Sequence, residues 1–325
     1  MKKAVLVGIN YESNPNARLY GCINDINSMG DVLVDAFGYS LENITKLRDD
    51  SQQSSLVPTR ANILTRLSQL VRDSANCEEI WFHYSGHGAQ IYDRSGDERD
   101  GLDEIIVPLD YATNGIITDD EIFNILRFSR CRTILLFDSC CSGTVCDLQW
   151  QFDYMNNGQV KVLNTSRALA NPNIMCFSGA RDNQFAADAY SRDQRQAVGA
   201  FTHAFITCLR QNNMNVEVLR LHIDICAYLQ RVGFSQIPTL STSAATPQHV
   251  FKRAGTQGEP SRTLSTVVNS ASVGEKMLNM KNILYSTAQM NVKKQDDSQH
   301  QNYLFMGKPR SRETKVSPTT PSFNG

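Results

Sequence analysis

The chain has 325 residues, a formal net charge of −1 and 41% hydrophobic residues, enough to bury one large core or two modest ones. An isoelectric point near 6.6 gives nucleic acid and anionic membranes no electrostatic reason to be the main partners, and no window approaches the roughly 18 apolar residues of a membrane span. Nine cysteines at irregular spacing argue against a disulfide framework and for a reducing, cytoplasmic setting.

The opening Lys3-Ala4-Val5-Leu6-Val7-Gly8 is an apolar run too short for a secretory signal, and polar Asn10, Glu12 and Asn14 follow it; residues 3–9 read as a buried strand. Cys22, Ile26, Met29, Leu33 and Ala36 recur at helical spacing over 22–36, and Ile44 to Leu47 is a short strand. Thr59 caps a predicted helix whose Ile63, Leu67, Leu70 and Val71 share one side. A strand then ends at His83, followed by a polar, acidic excursion over 90–104 and an apolar return toward the sheet at 105–109. Thr118 caps a helix over 119–128, with acids in the first turn where the helix dipole favours them. The next strand ends at Asp138.

Alternating strands and helices to this point predict an α/β fold with a mostly parallel sheet covered on both faces. The polar stretch 149–166, with a turn at Asn156-Asn157-Gly158, reads as a connecting loop. A strand over 173–177, helices near 199–212 and 216–232, and a strand at 239–242 complete the body. From about residue 255 onward Ser, Thr, Asn, Gln and Lys dominate, the composition of a disordered tail with at most a weak helix around 273–290.

Two segments carry the chemistry: His83-Tyr84-Ser85-Gly86-His87-Gly88 and Asp138-Ser139-Cys140-Cys141-Ser142-Gly143. Each follows a β-prone apolar run and ends in small residues, so each delivers its polar groups to the carboxyl edge of the sheet, where α/β folds bind ligands. Side chains two apart on a strand share a face, which pairs Ser85 with His87 and Asp138 with Cys140. An imidazole that takes a thiol's proton makes a strong nucleophile, and backbone N–H groups near Gly88 and Cys140 suit a developing oxyanion. These are the working parts of a cysteine peptidase.

The paired motifs resemble those of the metacaspases, within the caspase-like cysteine peptidases, over roughly residues 3–253. The resemblance implies a caspase-like three-layer sandwich. It divides the chain into a peptidase domain over 1–254 (large-subunit-like part to about 147, connector over about 148–171, small-subunit-like part over about 172–254) and a low-complexity tail over 255–325. The order of parts is similar to the type I arrangement, without the Pro-rich N-terminal extension of many type I members. It implies a Cys140–His87 dyad and cleavage of protein or peptide substrates after Arg or Lys by a monomeric enzyme. Cys22, Asp25, Ser85 and Asp138 would form the pocket for the basic residue; a guanidinium suits two carboxylates. It also implies calcium as activator, with ligands corresponding to Asp103, Asp119, Asp120 and Asp147, oxygen donors of the type the ion prefers. Asp97, Asp100 and Glu104 are alternatives to Asp103 in the same acidic loop. Lys161 and Arg167 in the connector are candidate points of self-cleavage. One departure stands out: Cys141 occupies the position after the nucleophile where the family usually has His.

Plainer readings compete. Cys77, Cys131, Cys176, Cys208 and Cys226 are expected to be small buried hydrophobes. His83 suits a structural hydrogen bond, Asp25 a helix cap, and the acids at 93–104 a solvated loop. A binding scaffold without activity is the alternative function, and a redox- or metal-sensing role for Cys140, Cys141 and Cys146 is a third.

Overall fold

Strand residues that alternate in sequence divide between two hydrophobic cores, Ala4 and Leu6 packing into one and Val5 and Val7 into the other. A strand buried on both faces needs helices above and below, and the computed structural model has them. It describes residues 1–92, 102–139, 146–155, 160–164, 167–179, 188–191 and 196–255.

The first half runs β1 (Lys2–Gly8), α1 (Cys22–Asp35), β2 (Ile44–Arg48), α2 (Arg60–Asp73), β3 (Glu79–Ser85), β4 (Gly88–Tyr92), β5 (Leu102–Ile106), α3 (Tyr111–Asn114), β6 (Ile117–Thr118), α4 (Asp119–Leu126) and β7 (Arg132–Asp138). The second runs β8 (Trp150–Tyr154), β9 (Val160–Asn164), β10 (Ile174–Ser178), β11 (Asp188–Ser191), β12 (Gln196–Gly199), α5 (Ala200–Gln211), β13 (Val216–Glu217), α6 (Val218–Val232), β14 (Thr239–Thr242) and β15 (Val250–Phe251). The central sheet has the order β2-β1-β3-β7-β10-β14-β8-β9. Pairing is parallel from β2 to β10 and antiparallel from β10 to β9. Helices α1, α5 and α6 supply Met29, Phe205 and Leu229 to one core; α2 and α4 supply Leu67 and Ile122 to the other. This is the expected three-layer α/β sandwich.

Register places the chemistry. Gly8 of β1, Ser85 of β3 and Asp138 of β7 lie side by side at the carboxyl edge. The helix starts were legible. The Thr59 side chain accepts from Asn62 N–H, and Thr118 and Glu121 form a reciprocal capping box.

Two expectations are corrected. The stretch read as a connecting loop holds β8 and β9, a pair of antiparallel strands that extends the central sheet beyond β14. Trp150, Phe152 and Tyr154 alternate with Gln151 and Asp153, a period-2 pattern whose Phe152 reaches the core. Consequently β14 is paired on both sides, and β9 forms the edge of this sheet among the described residues. The run 105–109 does not return to the central sheet either: β5 pairs with β4 and β6 in a separate three-stranded sheet. The Asn156-Asn157-Gly158 turn, the acids at 93–101 and the tail from 256 lie outside the described residues.

Candidate active site

His87 follows the end of β3 by two residues, and its main chain is fixed on both sides. Its N–H donates to the Tyr11 hydroxyl at 3.1 Å, and its carbonyl accepts from the Tyr84 hydroxyl at 2.7 Å and from Val107 N–H at 3.1 Å. The Tyr11 hydroxyl passes its own proton to the Val107 carbonyl at 2.6 Å, and the Tyr11 ring lies 4.7 Å from the imidazole. His87 Nε2 is 2.7 Å from the Ala17 carbonyl oxygen. A carbonyl only accepts, so Nε2 carries the proton and Nδ1 keeps its lone pair. Burial pushes the imidazole below its ordinary value of 6.5, with the Ala17 bond working the other way. The ring is therefore held as a neutral base in one tautomer.

At the same sheet edge, the structure brings Asp25, Ser85 and Asp138 together, all buried. Ser85 Oγ donates to Asp25 Oδ2 at 2.7 Å, and Gly199 N–H donates to Asp25 Oδ1 at 2.8 Å. Thr202 N–H donates to Asp138 Oδ2 at 2.8 Å. Gly199 is the N-cap residue of α5, so both carboxylates rest on backbone N–H groups at the positive end of a helix. Asp25 does not cap its own helix: Asn10 Oδ1, from outside α1, accepts from Cys22 N–H at 3.1 Å. Cys22 opens α1 as a buried thiol.

Close approach explains two glycines. A Cβ at Gly199 would lie inside contact with Asp138 Oδ2 and 2.7 Å from Asp25 Oδ2; at Gly21 it would lie 2.6 Å from the Val198 carbonyl carbon. Both are required by space, because the acids and the start of α1 press on the end of β12.

Cys140 and Cys141 lie outside the described residues; Ser139, just before them, is buried. Gly88 opens β4 opposite Ile106, directly after His87. Fully buried His83 sits with Nε2 at 3.3 Å from Thr202 Oγ1, and burial pushes its pKa down to about 3; it is held as a neutral structural group, as its sequence context suggested. Cys146 is buried with its thiol raised well above the ordinary value, first by desolvation and then by Cys176, which makes it a poor redox sensor. Cys131, Cys176, Cys208 and Cys226 are buried as expected, and Cys77 is half-buried.

The four acids expected to hold calcium fall on three segments. Asp103 is on β5; Asp119 and Asp120 open α4; Asp147 lies beyond β7 with φ of 43°. Asp119 accepts from Glu104 N–H at 2.8 Å and from Asp120 N–H at 2.7 Å. Arg167 donates to Asp147 Oδ2 at 2.7 Å and to Asp120 Oδ1 at 3.0 Å. Among the described residues no three His, Cys, Asp or Glu side chains converge as a metal ion requires. The donor types suit calcium; this arrangement, with a guanidinium bonded to two of them, does not fit the ion. Tyr11, the Ala17 carbonyl, Gly199 and Thr202 were all missed from sequence, and Arg167 was read only as a candidate cleavage point, since each acts through contacts distant in the chain.

Residues 2–149 match the family model "Metacaspase, peptidase C14 domain". Metacaspase-1 of Debaryomyces hansenii is 34% identical over 74% of this chain and 64% of its own length. For Metacaspase-1B of Aspergillus oryzae the identity is 34% over 74% of this chain and 68% of that protein. The chain thus spans about two thirds of the length of these relatives. A solved structure of a Geobacter sulfurreducens protein, with 22% identity, matches the fold at a TM-score of 0.52 over 75% of this chain and 94% of that one.

Proposed function

The chain belongs to the metacaspase family of cysteine peptidases, and from that premise we propose that it is an endopeptidase cutting after Arg or Lys with Cys140 as nucleophile and His87 as base. His87 Nδ1 takes the thiol proton, and the thiolate attacks the substrate carbonyl carbon. Backbone N–H groups near Gly88 and Cys140 receive the oxyanion. The imidazolium then gives its proton to the leaving amine, and water, activated by the same ring, releases the acyl group.

The observation that carries the specificity is the pair of buried carboxylates, Asp25 and Asp138, gathered around Gly199 at the same sheet edge as His87. Both oxygens of a carboxylate can hold a guanidinium, so two buried acids at this edge suit the cationic end of an Arg side chain. Such a site repels an acidic side chain. The test is hydrolysis of Arg-, Lys- and Asp-terminated peptide reporters by purified protein, with calcium or with chelator. Turnover after Arg or Lys supports the reading; turnover after Asp alone rejects the pocket.

Calcium stimulation stays part of the proposal only on the oxygen-donor chemistry of Asp103, Asp119, Asp120 and Asp147; their arrangement here does not fit the ion, and no chemical step runs through it. A reducing, cytoplasmic setting is supported by seven free cysteines among the described residues. Among those residues no helix is long and apolar enough to cross a membrane. A monomer is supported by the exposed Lys161 on edge strand β9, since a charged residue there discourages edge pairing.

A further inference from the structure

We infer that the amino edge of the central sheet, at the far end of the strands from the active site, holds a second ligand site. It takes a small aromatic anion, a flat ring bearing one carboxylate or phosphate. Lys2 opens β1, Glu79 opens β3 and Arg132 opens β7, and the register sets the three side by side. The same strands deliver Gly8, Ser85 and Asp138 to the opposite edge. Between these residues and the segment from Gln248 to Lys252 lies a cavity of about 280 Å³, near the lower size of small-molecule sites. The inference does not depend on the peptidase reading.

Charge and hydrogen-bonding capacity select the ligand. Lys2, Arg132 and Lys252 line the cavity against a single acid, Glu79. That carboxylate already accepts from the Tyr39 hydroxyl at 2.9 Å and from Arg132 at 3.0 Å. Lys2 approaches it only to 3.6 Å, and the exposed Glu78 only to 3.7 Å. Trp81 is fully buried in the same wall, and its Nε1–H has no hydrogen-bond partner among the described residues. An indole N–H only donates, and an orphaned buried donor calls for an explanation. Both ring nitrogens of His249 are likewise without a partner among those residues. Burial, then the charges of Arg132 and Lys2, push that imidazole down to about 3, so the ring is neutral and offers one donor and one acceptor. Cations beside unused donors suit an acceptor-rich anion. The wall supplies the preference for a ring: His249 stands edge-on to Phe251 at 4.5 Å, and Phe251 lies 6.3 Å from Trp81. The cavity of about 280 Å³ is roughly nine times a water's share of the liquid, about 30 Å³, more room than a bare oxyanion fills.

The test is titration of the isotope-labelled full chain, carrying Cys140→Ala to prevent self-cleavage, with phenyl phosphate, phenylacetate, inorganic phosphate and benzyl alcohol. Binding is read by NMR at the indole N–H signals. Only Trp81 and Trp150 carry an indole, so Trp150→Phe assigns the two. An aromatic anion should move the Trp81 signal saturably, with a Kd below about 1 mM. Phenyl phosphate, phenylacetate or both may do so, and the result names the headgroup. Inorganic phosphate lacks the ring and benzyl alcohol lacks the charge, so each should bind roughly tenfold more weakly or worse. Arg132→Gln and Lys252→Gln should weaken binding several-fold, and Lys252, being exposed, removes charge without disturbing the core. A loss in either variant supports the inference. No saturable movement of the Trp81 signal by either aromatic anion overturns it. So does equal binding of benzyl alcohol or inorganic phosphate, or affinity unchanged in both charge variants. Should Arg132→Gln prove unfolded by circular dichroism, Lys252→Gln decides by the same criterion.

Discussion

Gly199→Ala is the most informative single substitution. Glycine is not needed there for conformation: φ is −67° and ψ is 133°, values alanine adopts freely. It is needed for space. The new methyl carbon would overlap Asp138 Oδ2 and lie 2.7 Å from Asp25 Oδ2. Neither acid yields easily, Asp25 being held at 2.7 Å by Ser85 and at 2.8 Å by Gly199 N–H, and Asp138 at 2.8 Å by Thr202 N–H. Overpacking of this kind costs about 1–3 kcal/mol, and losing one hydrogen bond to a charged group costs about 1.5–3 kcal/mol. The chain should remain folded, with the unfolding free energy from urea titration lowered by an amount in the first range. If the displaced carboxylates hold the cationic end of the substrate, kcat/KM for an Arg reporter should fall roughly 10- to 100-fold, since each 1.4 kcal/mol is tenfold. KM should carry most of the loss. The alkylation rate of Cys140 by iodoacetamide should be unchanged, because the atoms nearest the new methyl belong to the two acids. A folded Gly199→Ala enzyme with the parent's kcat/KM on Arg reporters would refute the idea that these two acids read the substrate.

Further outcomes follow from the same geometry. Cys140→Ala and His87→Ala should each abolish turnover, whereas Cys141→Ala should keep much of it, as reporter assays on the three variants will show. Tyr11→Phe removes the hydroxyl that accepts from His87 N–H and donates to Val107; it should lower stability by about 1–3 kcal/mol and reduce kcat, and an unchanged melting curve would contradict the role given to Tyr11. Burial lowers the His87 pKa from 6.5, and the ring must be neutral to accept a proton, so the acidic limb of the kcat/KM profile should lie below pH 6.5. His83 is shifted from 6.5 down to about 3. The unfolded chain therefore binds the extra proton below 6.5, and stability falls as pH drops from there toward 3. Between pH 6.5 and 4.5 this contributes roughly 2–3 kcal/mol of lost stability. His83→Gln should flatten the pH dependence of the urea midpoint by that amount, and parallel curves would exclude it.

Much of this arrangement is written locally in the chain. The runs of β1, β3 and β7 are buried over most of their length, β3 throughout, and small residues after them mark where the chain leaves the sheet. That was enough to place Ser85 and Asp138 at one edge; Asp25 was expected beside them only from the family resemblance of the segment around it. Strands β8 and β9 were not recognised, because Gln151, Asp153, Lys161 and Asn164 make the stretch polar on average. A two-stranded addition at a sheet edge buries only one face, so its alternation outweighs its mean hydropathy. The supports of the site were illegible for a different reason. Gly199 reaches Asp25 across 174 positions, and Thr202 reaches Asp138 across 64. Tyr11 meets Val107 across 96. Nothing in local spacing signals a backbone N–H at a helix start that will meet a distant carboxylate. The bonds of Arg167 to Asp120 and Asp147 were hidden likewise, since an arginine in a polar connector reads as an accessible cleavage point.

The central claim is that the thiol of Cys140 is activated by His87 within reach of a basic side chain held by Asp25 and Asp138. Its most direct test is covalent labelling by a peptide electrophile ending in arginine, with the modified residue mapped by mass spectrometry. The account predicts a single label on Cys140 that is lost in His87→Ala and slowed in Asp138→Asn. A label on Cys140 that forms equally fast from an aspartate-terminated electrophile, or that survives removal of His87, would contradict it.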